Sequence, residues 1–440
     1  MANMTALRQP LPWTAPTATE PVAMTVRLPG SKSITARALI LSAIAAGPST
    51  LHLPLRARDT ELMAAGLRNL GVHLSTVGDR WVIRPQHLHG PAHIDVGLAG
   101  TVMRFLPPVA GLAAGPVTFD GDPRARSRPL GALVAALRSI GVPIDSAPSG
   151  GLPLTVHGTG SVTGGEVVIN ASASSQLVSG LLLAAPRFER GIVVRHVGPP
   201  VPSAPHLRMT VQMLRAAGAG VDDSTPDLWV VEPGRLSGRG WDIEPDLSGA
   251  APFFAAALVT GGTLTLLGWP RSSAQPVDRL RSLLGQMGGE VTLGTEGLTV
   301  RGSGVIHGLD ADLSDVSELT PVLTALAALA DSPSKLRGVA HIRGHETDRL
   351  AALARELTGL GADVTESFDG LEIRPRPLHG GVFQTYDDHR MAHAAAVIGL
   401  VVPGIQLTDV ACTAKTLPEF PALWSTMVTG KDDRQSEGGA

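Results

Sequence analysis

The chain has 440 residues, of which 43% are hydrophobic and 17% are charged, and its formal net charge is −3. This length predicts roughly two or three domains, and this composition excludes global disorder. The near-neutral charge and the 3% aromatic content argue against nucleic acid as a partner, and no apolar run approaches the length of a membrane helix.

The N-terminal residues 1–21 are rich in Pro, Thr and Ala and have no apolar signal core, so we expect a loose leader. Residues 431–440 are predicted to form a tail. The single cysteine, Cys412, excludes a disulfide framework and a cysteine-rich metal site. We therefore expect a cytoplasmic protein without a metal ion.

Two signatures recur along the chain. The motif Leu-x-x-apolar-Gly-x-x-aliphatic starts at Leu67, Leu137, Leu214, Leu284 and Leu357. Its glycine predicts a left-handed helix C-cap that is followed by a strand. A polar opening before a nearly all-apolar helix starts at Pro29, Leu98, Ala171, Asp246, Ser317 and Asp387. The pattern predicts six strand–helix–strand–helix–strand–strand repeats, the last without its hairpin.

The repeats predict two domains of three repeats each. The first would span residues 31–244, and the second residues 245–430 together with residues 22–30, whose MTVRLPG strand would complete it. Two unrelated α/β domains are the alternative. The crossings near Gly30 and near residues 244–246 are the natural hinges.

The six apolar helices all begin with small, polar or charged residues. Helices that are apolar on every side are expected to be buried, and their N-termini bind anions through free N–H groups and the helix dipole. If the repeats fold alike, these N-termini line a cleft that suits a substrate with several negative charges.

The first two openings carry cations at helical spacing. Lys32, Ser33 and Arg37 could grip a phosphate or carboxylate, or they could be an N-cap with a surface arginine. Gly100 permits close approach of a ligand, and Arg104 follows one turn later.

The loop GDPRARSRP offers three arginines, of which one could bind a ligand and the others would be solvated surface: Arg124, Arg126 and Arg128. In the third repeat, Ser174, Ser175 and Gln176 are uncharged donors or simply an N-cap, and Ser203 alone is a weak signal.

Glu318 and Glu346 could serve the helix dipole and capping, or act as acid and base in a cationic cleft. Arg390 at the start of an apolar helix favours an anion ligand. His389 and His393 have the spacing of only a weak metal signal.

Six motifs in order, between about residue 24 and residue 428, resemble the enolpyruvyl transferases: PGSKSxTxRAL, AGTxMR, SSQ, HETDR, DHRMA and CTAKTxPE. Within that group they resemble the 3-phosphoshikimate 1-carboxyvinyltransferase family. The resemblance implies a two-domain inside-out α/β barrel of six βαβαββ repeats, with the active site in the interdomain cleft. It also implies transfer of the enolpyruvyl group of phosphoenolpyruvate to the 5-hydroxyl of shikimate 3-phosphate, with release of phosphate through a tetrahedral intermediate. No metal or organic cofactor is implied, and we expect a monomer without nucleic acid or membrane partners.

The resemblance further implies roles for single residues. Shikimate 3-phosphate would contact Lys32, Ser33, Arg37, Ser174, Ser175, Gln176, Ser203, Glu318 and His345. Phosphoenolpyruvate would contact Lys32, Gly100, Arg124, Gln176, Arg349, Arg390 and Lys415. In catalysis, Glu318 would accept the hydroxyl proton and Glu346 would protonate the methylene carbon, with Lys32 as the third catalytic residue. Arg104 and His389 would support the site.

Five positions depart from the commonest family pattern: Ala36, Leu98, His206, Glu318 and His345. His345 replaces a lysine, so we expect turnover to fall at alkaline pH as the imidazole loses its proton. Two alternatives stay open. One is a UDP-N-acetylglucosamine enolpyruvyl transferase, which typically uses a loop cysteine, whereas Cys412 lies in the CTAKT motif. The other is a non-catalytic anion-binding repeat protein.

Overall fold

The structure is a computed structural model and describes residues 12–430. Its helices are α1 (Lys32–Ala43), α2 (Arg58–Asn69), α3 (Gly100–Ala110), α4 (Pro123–Arg126), α5 (Gly131–Ser139), α6 (Ser175–Ala184), α7 (Ala204–Ala216), α8 (Leu247–Thr260), α9 (Val277–Gln286), α10 (Thr320–Ala328), α11 (Arg349–Gly359), α12 (His389–Gly399) and α13 (Phe420–Thr429). Short 3₁₀ helices span Ala185–Arg187, Ser317–Leu319, Ala340–Gly344 and Ala411–Lys415.

The strands alternate with these helices. They are β1 (Trp13–Thr14), β2 (Ala23–Val26), β3 (Ser49–His52), β4 (His73–Val77), β5 (Arg80–Arg84), β6 (Ala92–Asp95), β7 (Ala114–Asp120), β8 (Ile144–Ser146), β9 (Leu154–Thr159), β10 (Gly165–Ile169), β11 (Ile192–His196) and β12 (Val221–Asp222). The remaining strands are β13 (Leu228–Val231), β14 (Gly240–Asp242), β15 (Thr263–Leu267), β16 (Glu290–Leu293), β17 (Gly297–Arg301), β18 (Asp310–Asp312), β19 (Ser334–Arg337), β20 (Asp363–Glu366), β21 (Leu371–Arg374), β22 (Gly381–Phe383) and β23 (Ile405–Leu407).

The described strands form six sheets of one design. Five have four strands, in the orders β14-β3-β5-β4, β6-β7-β9-β8, β10-β11-β13-β12, β2-β15-β17-β16 and β18-β19-β21-β20. In each, the first pair is parallel and the other pairs are antiparallel. The sixth sheet has three strands, β22-β23-β1. The predicted α/β repeat is thus confirmed, including the missing hairpin of the last repeat.

Two strands are exchanged along the chain. β2 precedes α1 in sequence but pairs with β15, and β14 precedes α8 but pairs with β3. The two crossings lie side by side, because Gly30 and Pro245 form an antiparallel bridge. Each strand therefore completes the sheet of the half that it does not adjoin in sequence.

Buried apolar side chains form two clusters, one from residues 34–243 and one from residues 15–28 and 247–427. We call residues 31–243 the first half, and residues 12–28 with 247–430 the second half. At the centre of the first half α1, α3 and α6 contact each other, as do α8, α10 and α12 in the second. That the two halves are separate domains, with the predicted boundaries, stays a prediction.

The glycines that end the amphipathic helices have the predicted left-handed backbone. They are Gly71, Gly141, Gly218, Gly288 and Gly361, with φ between 89° and 105°. At this φ a residue with a Cβ would be strained, so glycine ends each helix and turns the chain into the next strand.

The prediction of a loose leader over residues 1–21 is wrong for the part that the structure describes. Trp13 and Thr14 pair antiparallel with β23, and Ala15 is 2% exposed. β1 takes the place beside β23 that a hairpin strand has in the other five sheets. A two-residue strand has no periodicity, so its pairing is decided by a partner nearly 400 residues away in the chain. Residues 1–11 of that leader and the predicted tail, residues 431–440, lie outside the described residues.

Candidate active site

All six helix openings meet at one cavity between the two halves. Its space is about 1020 Å³, including solvent at its mouth. The openings contribute Lys32 and Ser33, Gly100 and Thr101, Ser174 to Gln176, Asp246 and Ser248, Glu318, and His389 and Arg390. The repeat explains this convergence, because equivalent helices start at equivalent ends of their sheets.

Lys32 begins α1 at the wall of the first half. Its Nζ lies 3.4 Å from Oδ2 of Asp59, and its side chain is 19% exposed. Its backbone N–H donates to Oδ2 of Asp246 at 2.9 Å. The sequence did not predict Asp59 as a residue of the site, because an acidic residue in the first turn of a helix commonly just stabilises the helix dipole.

Gly100 lies where the backbone meets a cluster of polar groups. A Cβ added there would lie 2.9 Å from Nη1 of Arg104, 3.0 Å from Oε1 of Gln176 and 3.1 Å from Nη2 of Arg128. Arg104 donates to Gln176 at 2.9 Å, and Arg128 donates to the carbonyl of Leu98 at 3.0 Å. Of the three loop arginines in the sequence, Arg128 is the one that lines the cavity.

The serines lie at helix starts around the cavity. Ser174 caps α6 by accepting the N–H of Gln176 at 3.3 Å. Ser203 precedes α7 with φ 54°, and its N–H donates to the carbonyl of Ser314 at 3.1 Å. The hydroxyls of Ser203 and Ser317 are 3.2 Å apart. Ser203 therefore links the first half directly to the second.

Glu318 faces two arginines at the wall of the second half. Its Oε2 lies 2.6 Å from Nε of Arg390 and 3.4 Å from Nη1 of Arg349. Burial alone would raise the pKa of Glu318, but Arg390 and Arg349 outweigh it and hold that pKa well below the usual range. The side chain is 30% exposed, so this ionised carboxylate can accept a proton from a bound ligand.

Glu346 lies deeper than Glu318. Its Oε1 contacts the Nζ of Lys415, and its Oε2 accepts from Arg349 at 2.8 Å. Burial would raise the pKa of Glu346, but Lys415 and Arg349 hold it well below the usual range. In this state Glu346 carries no proton at neutral pH, whereas the predicted role requires it to donate one.

Arg349 is the centre of the charge network. Its guanidinium donates to Asp388 at 2.7 and 3.1 Å, and both residues are buried. Its Nη1 also lies 3.1 Å from Nδ1 of His345. Asp388, which caps α12 as well, was not selected from the sequence because a capping aspartate has an ordinary structural role.

His345 lies beside Arg349, which disfavours a positive charge on the imidazole. Burial, and next the charge of Arg349, lower the pKa of His345 well below the usual value of histidine. The imidazole is therefore neutral at physiological pH and accepts a hydrogen bond from Arg349. The fall of turnover at alkaline pH stays a prediction, and an imidazole that is already neutral argues against His345 as its cause.

Three residues predicted to bind substrate do not line the cavity. Arg37 is 1% exposed, and its donors are taken by Ser33, Thr210, Ser179 and His206. Arg124 is paired with Asp122 and Asp387 outside the cavity, and Lys415 lies behind Glu346. The sequence could not predict that these three cations are already paired with other groups of the protein, because each has a partner that is distant in sequence.

His389 and His393 are buried at the cavity wall, and neither ring nitrogen of either residue has a hydrogen-bond partner among residues 12–430. Burial lowers the pKa of His393 to about 3, and burial followed by Arg390 lowers that of His389. Both rings are therefore neutral. His393 and Asp59 add polar groups that the motif reading did not assign to the site.

The cavity wall combines cations with the carboxylates of Asp59, Asp246, Glu318 and Glu346, the last two of which contact the same arginine, Arg349. Among residues 12–430 no group of three or more His, Cys, Asp or Glu is placed to hold a metal ion. Over the same residues, no helix is both long and apolar enough to cross a membrane. The arrangement can bind a multiply charged anion and can move a proton at Glu318 or Glu346.

Known proteins match this chain over most of its length. The sequence model of the family described as EPSP synthase (3-phosphoshikimate 1-carboxyvinyltransferase) matches residues 16–424. Two structures of EPSP synthase from Acinetobacter baumannii are similar to this chain, with TM-scores of 0.77 and 0.75 and 23% sequence identity each. The matches cover 95% of this chain in both cases, and 98% and 97% of the respective Acinetobacter chains. The enolpyruvyl transferase NikO from Streptomyces tendae has a TM-score of 0.73 and 18% identity, with 94% of this chain and 96% of that chain covered.

Proposed function

The chain belongs to the EPSP synthase family, and on that premise we propose how its cavity performs the family's reaction. It is a transferase of the 3-phosphoshikimate 1-carboxyvinyltransferase class. The reaction moves the enolpyruvyl group of phosphoenolpyruvate to the 5-hydroxyl of shikimate 3-phosphate and releases phosphate. It is a step in aromatic amino acid biosynthesis.

Both substrates are multiply charged anions, which accounts for the cations of the cavity. We assign shikimate 3-phosphate to Lys32, Ser33, Ser174, Ser175, Gln176 and Ser203. We assign phosphoenolpyruvate to Lys32, Gly100, Gln176, Arg349 and Arg390, and add Arg128 because it faces Gly100. Arg37 would orient Ser33 from behind the cavity, since it donates to the Ser33 carbonyl at 3.0 Å. Arg124, Arg349 and Lys415 would bind substrate only after exchanging their present partners.

Glu318 is the proposed acceptor of the hydroxyl proton. Its carboxylate is ionised by Arg390 and Arg349, and it is reachable from the cavity. Removing the hydroxyl proton as the oxygen attacks C2 of the enolpyruvyl group avoids a cationic oxygen in the transition state. The one observation that carries the proposal is this ionised, partly exposed carboxylate among the anion ligands.

Glu346 is the proposed donor of the proton to the methylene carbon and its acceptor again when phosphate leaves. It must first be protonated. Substrate anions would compete for Arg349 and Lys415, and the added negative charge would raise the pKa of Glu346. Lys415, whose pKa burial lowers, is in contact with Glu346 and could supply the proton.

The test is phosphate release by the purified chain with phosphoenolpyruvate and either shikimate 3-phosphate or UDP-N-acetylglucosamine. Release only with shikimate 3-phosphate is expected. Release only with the sugar nucleotide would mean that UDP-N-acetylglucosamine is the acceptor substrate. Cys412 argues against that outcome, because burial raises the pKa of its thiol, which therefore lacks the reactivity of a catalytic thiol. Binding without any release would support the non-catalytic alternative.

Glu318→Gln and Glu346→Gln should each lower kcat by about 10²- to 10⁴-fold with small changes in KM, as expected for a lost acid or base. Glu296→Gln, at an exposed position in the turn before β17, is the matched control and should leave kcat unchanged. A kcat within a few-fold of wild type in Glu318→Gln would remove it as the base.

We further infer a cytoplasmic monomer that moves as two domains of three repeats and has no nucleic acid or membrane partner. The near-neutral charge supports the absence of such partners. The paired crossings at Gly30 and Pro245 support a hinge there.

A further inference from the structure

Four arginines line a second cavity, which we call the arginine cavity. Its space is about 910 Å³, including solvent at its mouth, and it has no lining residue in common with the active-site cavity among residues 12–430. The arginines are Arg208, Arg271, Arg279 and Arg281. Arg208 lies on α7 of the first half, whereas the other three lie on α9 or in the segment that leads into it. Both halves therefore contribute cations to one concave surface.

The protein compensates the positive charge of the arginine cavity only in part. The lining includes two carboxylates, those of Asp278 and Asp315. Asp278 lies 3.4 Å from Nη1 of Arg281, and its side chain is 96% exposed, so this ion pair is weak. Arg208 and Arg271 form neither a hydrogen bond nor an ion pair with any residue in the range 12–430. Positive charge is therefore in excess, and two guanidinium groups have no protein partner.

The place of Arg279 is electrostatically unfavourable for the chain alone. It is the third residue of α9, in the first turn, where the positive end of the helix dipole disfavours a cation. Its Nη2 donates to the Asp312 carbonyl at 2.7 Å, a contact that supplies no full negative charge. Cations gathered at such a point repel one another, and an anion bound among them relieves that repulsion.

The wall that carries Arg271 is fixed by the crossing between the two halves. Gln275 is 8% exposed; it accepts the N–H of Leu247 at 2.9 Å and donates to the Pro245 carbonyl at 2.8 Å. The Ser273 hydroxyl accepts the N–H of Gln275 at 2.9 Å. The backbone of this wall is therefore ordered before any ligand binds, which lowers the entropic cost of binding.

We propose that the arginine cavity binds a small phosphorylated anion with at least two negative charges, either a free diphosphate or a nucleoside diphosphate. Guanidinium groups bind phosphate oxygens through paired N–H bonds, and Arg208 and Arg271 have their donors free for this. The volume suits a small molecule. The buried Pro205 and Val277 add an apolar floor that the nucleoside would contact. This site does not rest on the proposed function.

The test is isothermal titration calorimetry of the full chain at low salt with pyrophosphate and, separately, with ADP. The double variant Arg208→Gln/Arg271→Gln removes the two unpaired guanidinium groups. Its matched control is Arg84→Gln/Arg235→Gln, which removes the same charge at two exposed positions that line neither cavity. The first variant should bind the tighter probe about tenfold more weakly than the wild type or worse, and the control should bind like the wild type. Arg390→Gln, a variant of the active-site cavity, should keep the binding that depends on Arg208 and Arg271.

The two probes distinguish the sources of the ligand. Tighter binding of ADP would identify a nucleotide, and tighter binding of pyrophosphate would identify a free diphosphate. Loss of this binding with an unchanged kcat would place the site outside the active-site cavity. Equal affinities in the wild type and Arg208→Gln/Arg271→Gln, an equal loss in the control, or no binding of either probe would overturn the proposal. Binding without any turnover of the wild type would count against the proposed function alone.

Discussion

Glu318 and Glu346 are two glutamates of one cavity, and their neighbours give them different chemistry. Glu318 meets two arginines and remains 30% exposed, whereas Glu346 is 8% exposed between Arg349 and Lys415. A carboxylate open to the cavity can accept a proton at once. One enclosed by cations gains a proton only when those cations acquire other anionic partners. At the scale of single residues, access and neighbouring charge thus assign the base and the acid.

Replacing His345 tests this electrostatic picture. His345→Gln should leave the fall of kcat/KM at alkaline pH unchanged, because a histidine whose pKa is lowered has already lost its proton at neutral pH. The glutamine oxygen can still accept from Arg349. The measurement is kcat/KM from neutral to alkaline pH for both proteins. A shift of the alkaline limb in the variant would mean that His345 is cationic in the working enzyme.

At the scale of elements, one carboxylate serves two helices from different halves. Oδ1 of Asp246 caps α8 by accepting the N–H of Gly249 at 2.8 Å, and Oδ2 accepts the N–H of Lys32 at the start of α1. Gln275 fixes the same crossing by accepting the N–H of Leu247 at 2.9 Å and donating to the Pro245 carbonyl at 2.8 Å. The N–H at the start of the helix that carries Lys32 is therefore bound by the crossing between the two halves, and not by a residue of the first half.

Asp246→Ala should lower the free energy of unfolding by about 2 kcal/mol, since two helices each lose an acceptor worth about 1 kcal/mol. Asp246→Asn retains one acceptor oxygen and should lose about half as much. Urea-induced unfolding measures both. Asp278→Ala, which removes an almost fully exposed acid from the first turn of α9, is the control for the helix dipole alone. If Asp246→Asn lowered the free energy of unfolding as much as Asp246→Ala, the loss would come from the missing charge and not from the missing hydrogen-bond acceptor.

At the scale of the whole molecule, the N-terminal segment closes the second half. β2 completes the sheet of β15, and β1 completes the sheet of β23. Beyond β1, the Ala18 N–H donates to the Leu400 carbonyl at 2.9 Å, and the Thr17 hydroxyl donates to the Gly399 carbonyl at 3.1 Å. The end of α12 is thus covered by the start of the chain.

Deleting residues 2–17 should lower the free energy of unfolding by about 2–4 kcal/mol, because it uncovers apolar side chains around Trp13 and Ala15 and leaves the edge of β23 unpaired. Deleting residues 2–10 keeps β1 and serves as the control. Urea unfolding of the three proteins gives the comparison. Equal stability of both deletions would show that β1 contributes nothing to the fold.

The repeat, the buried helices, the glycine C-caps and the pairing of the segment 22–30 with the second half could all be predicted from the sequence. These features follow from local patterns of apolar, polar and glycine residues, which act through nearby backbone geometry. The sequence also identified most residues of the cavity, because polar side chains at the start of an apolar helix are conspicuous.

Which charged side chains meet could not be predicted from the sequence, because it depends on the fold. Arg37 donates its hydrogen bonds to residues of the first half, Arg124 pairs with Asp387, and Arg128 lines the cavity. Lys415 binds Glu346, a residue 69 positions away in the chain. Such pairings depend on distances between groups far apart in sequence, and those distances set both the pKa values and the cations left free for substrate.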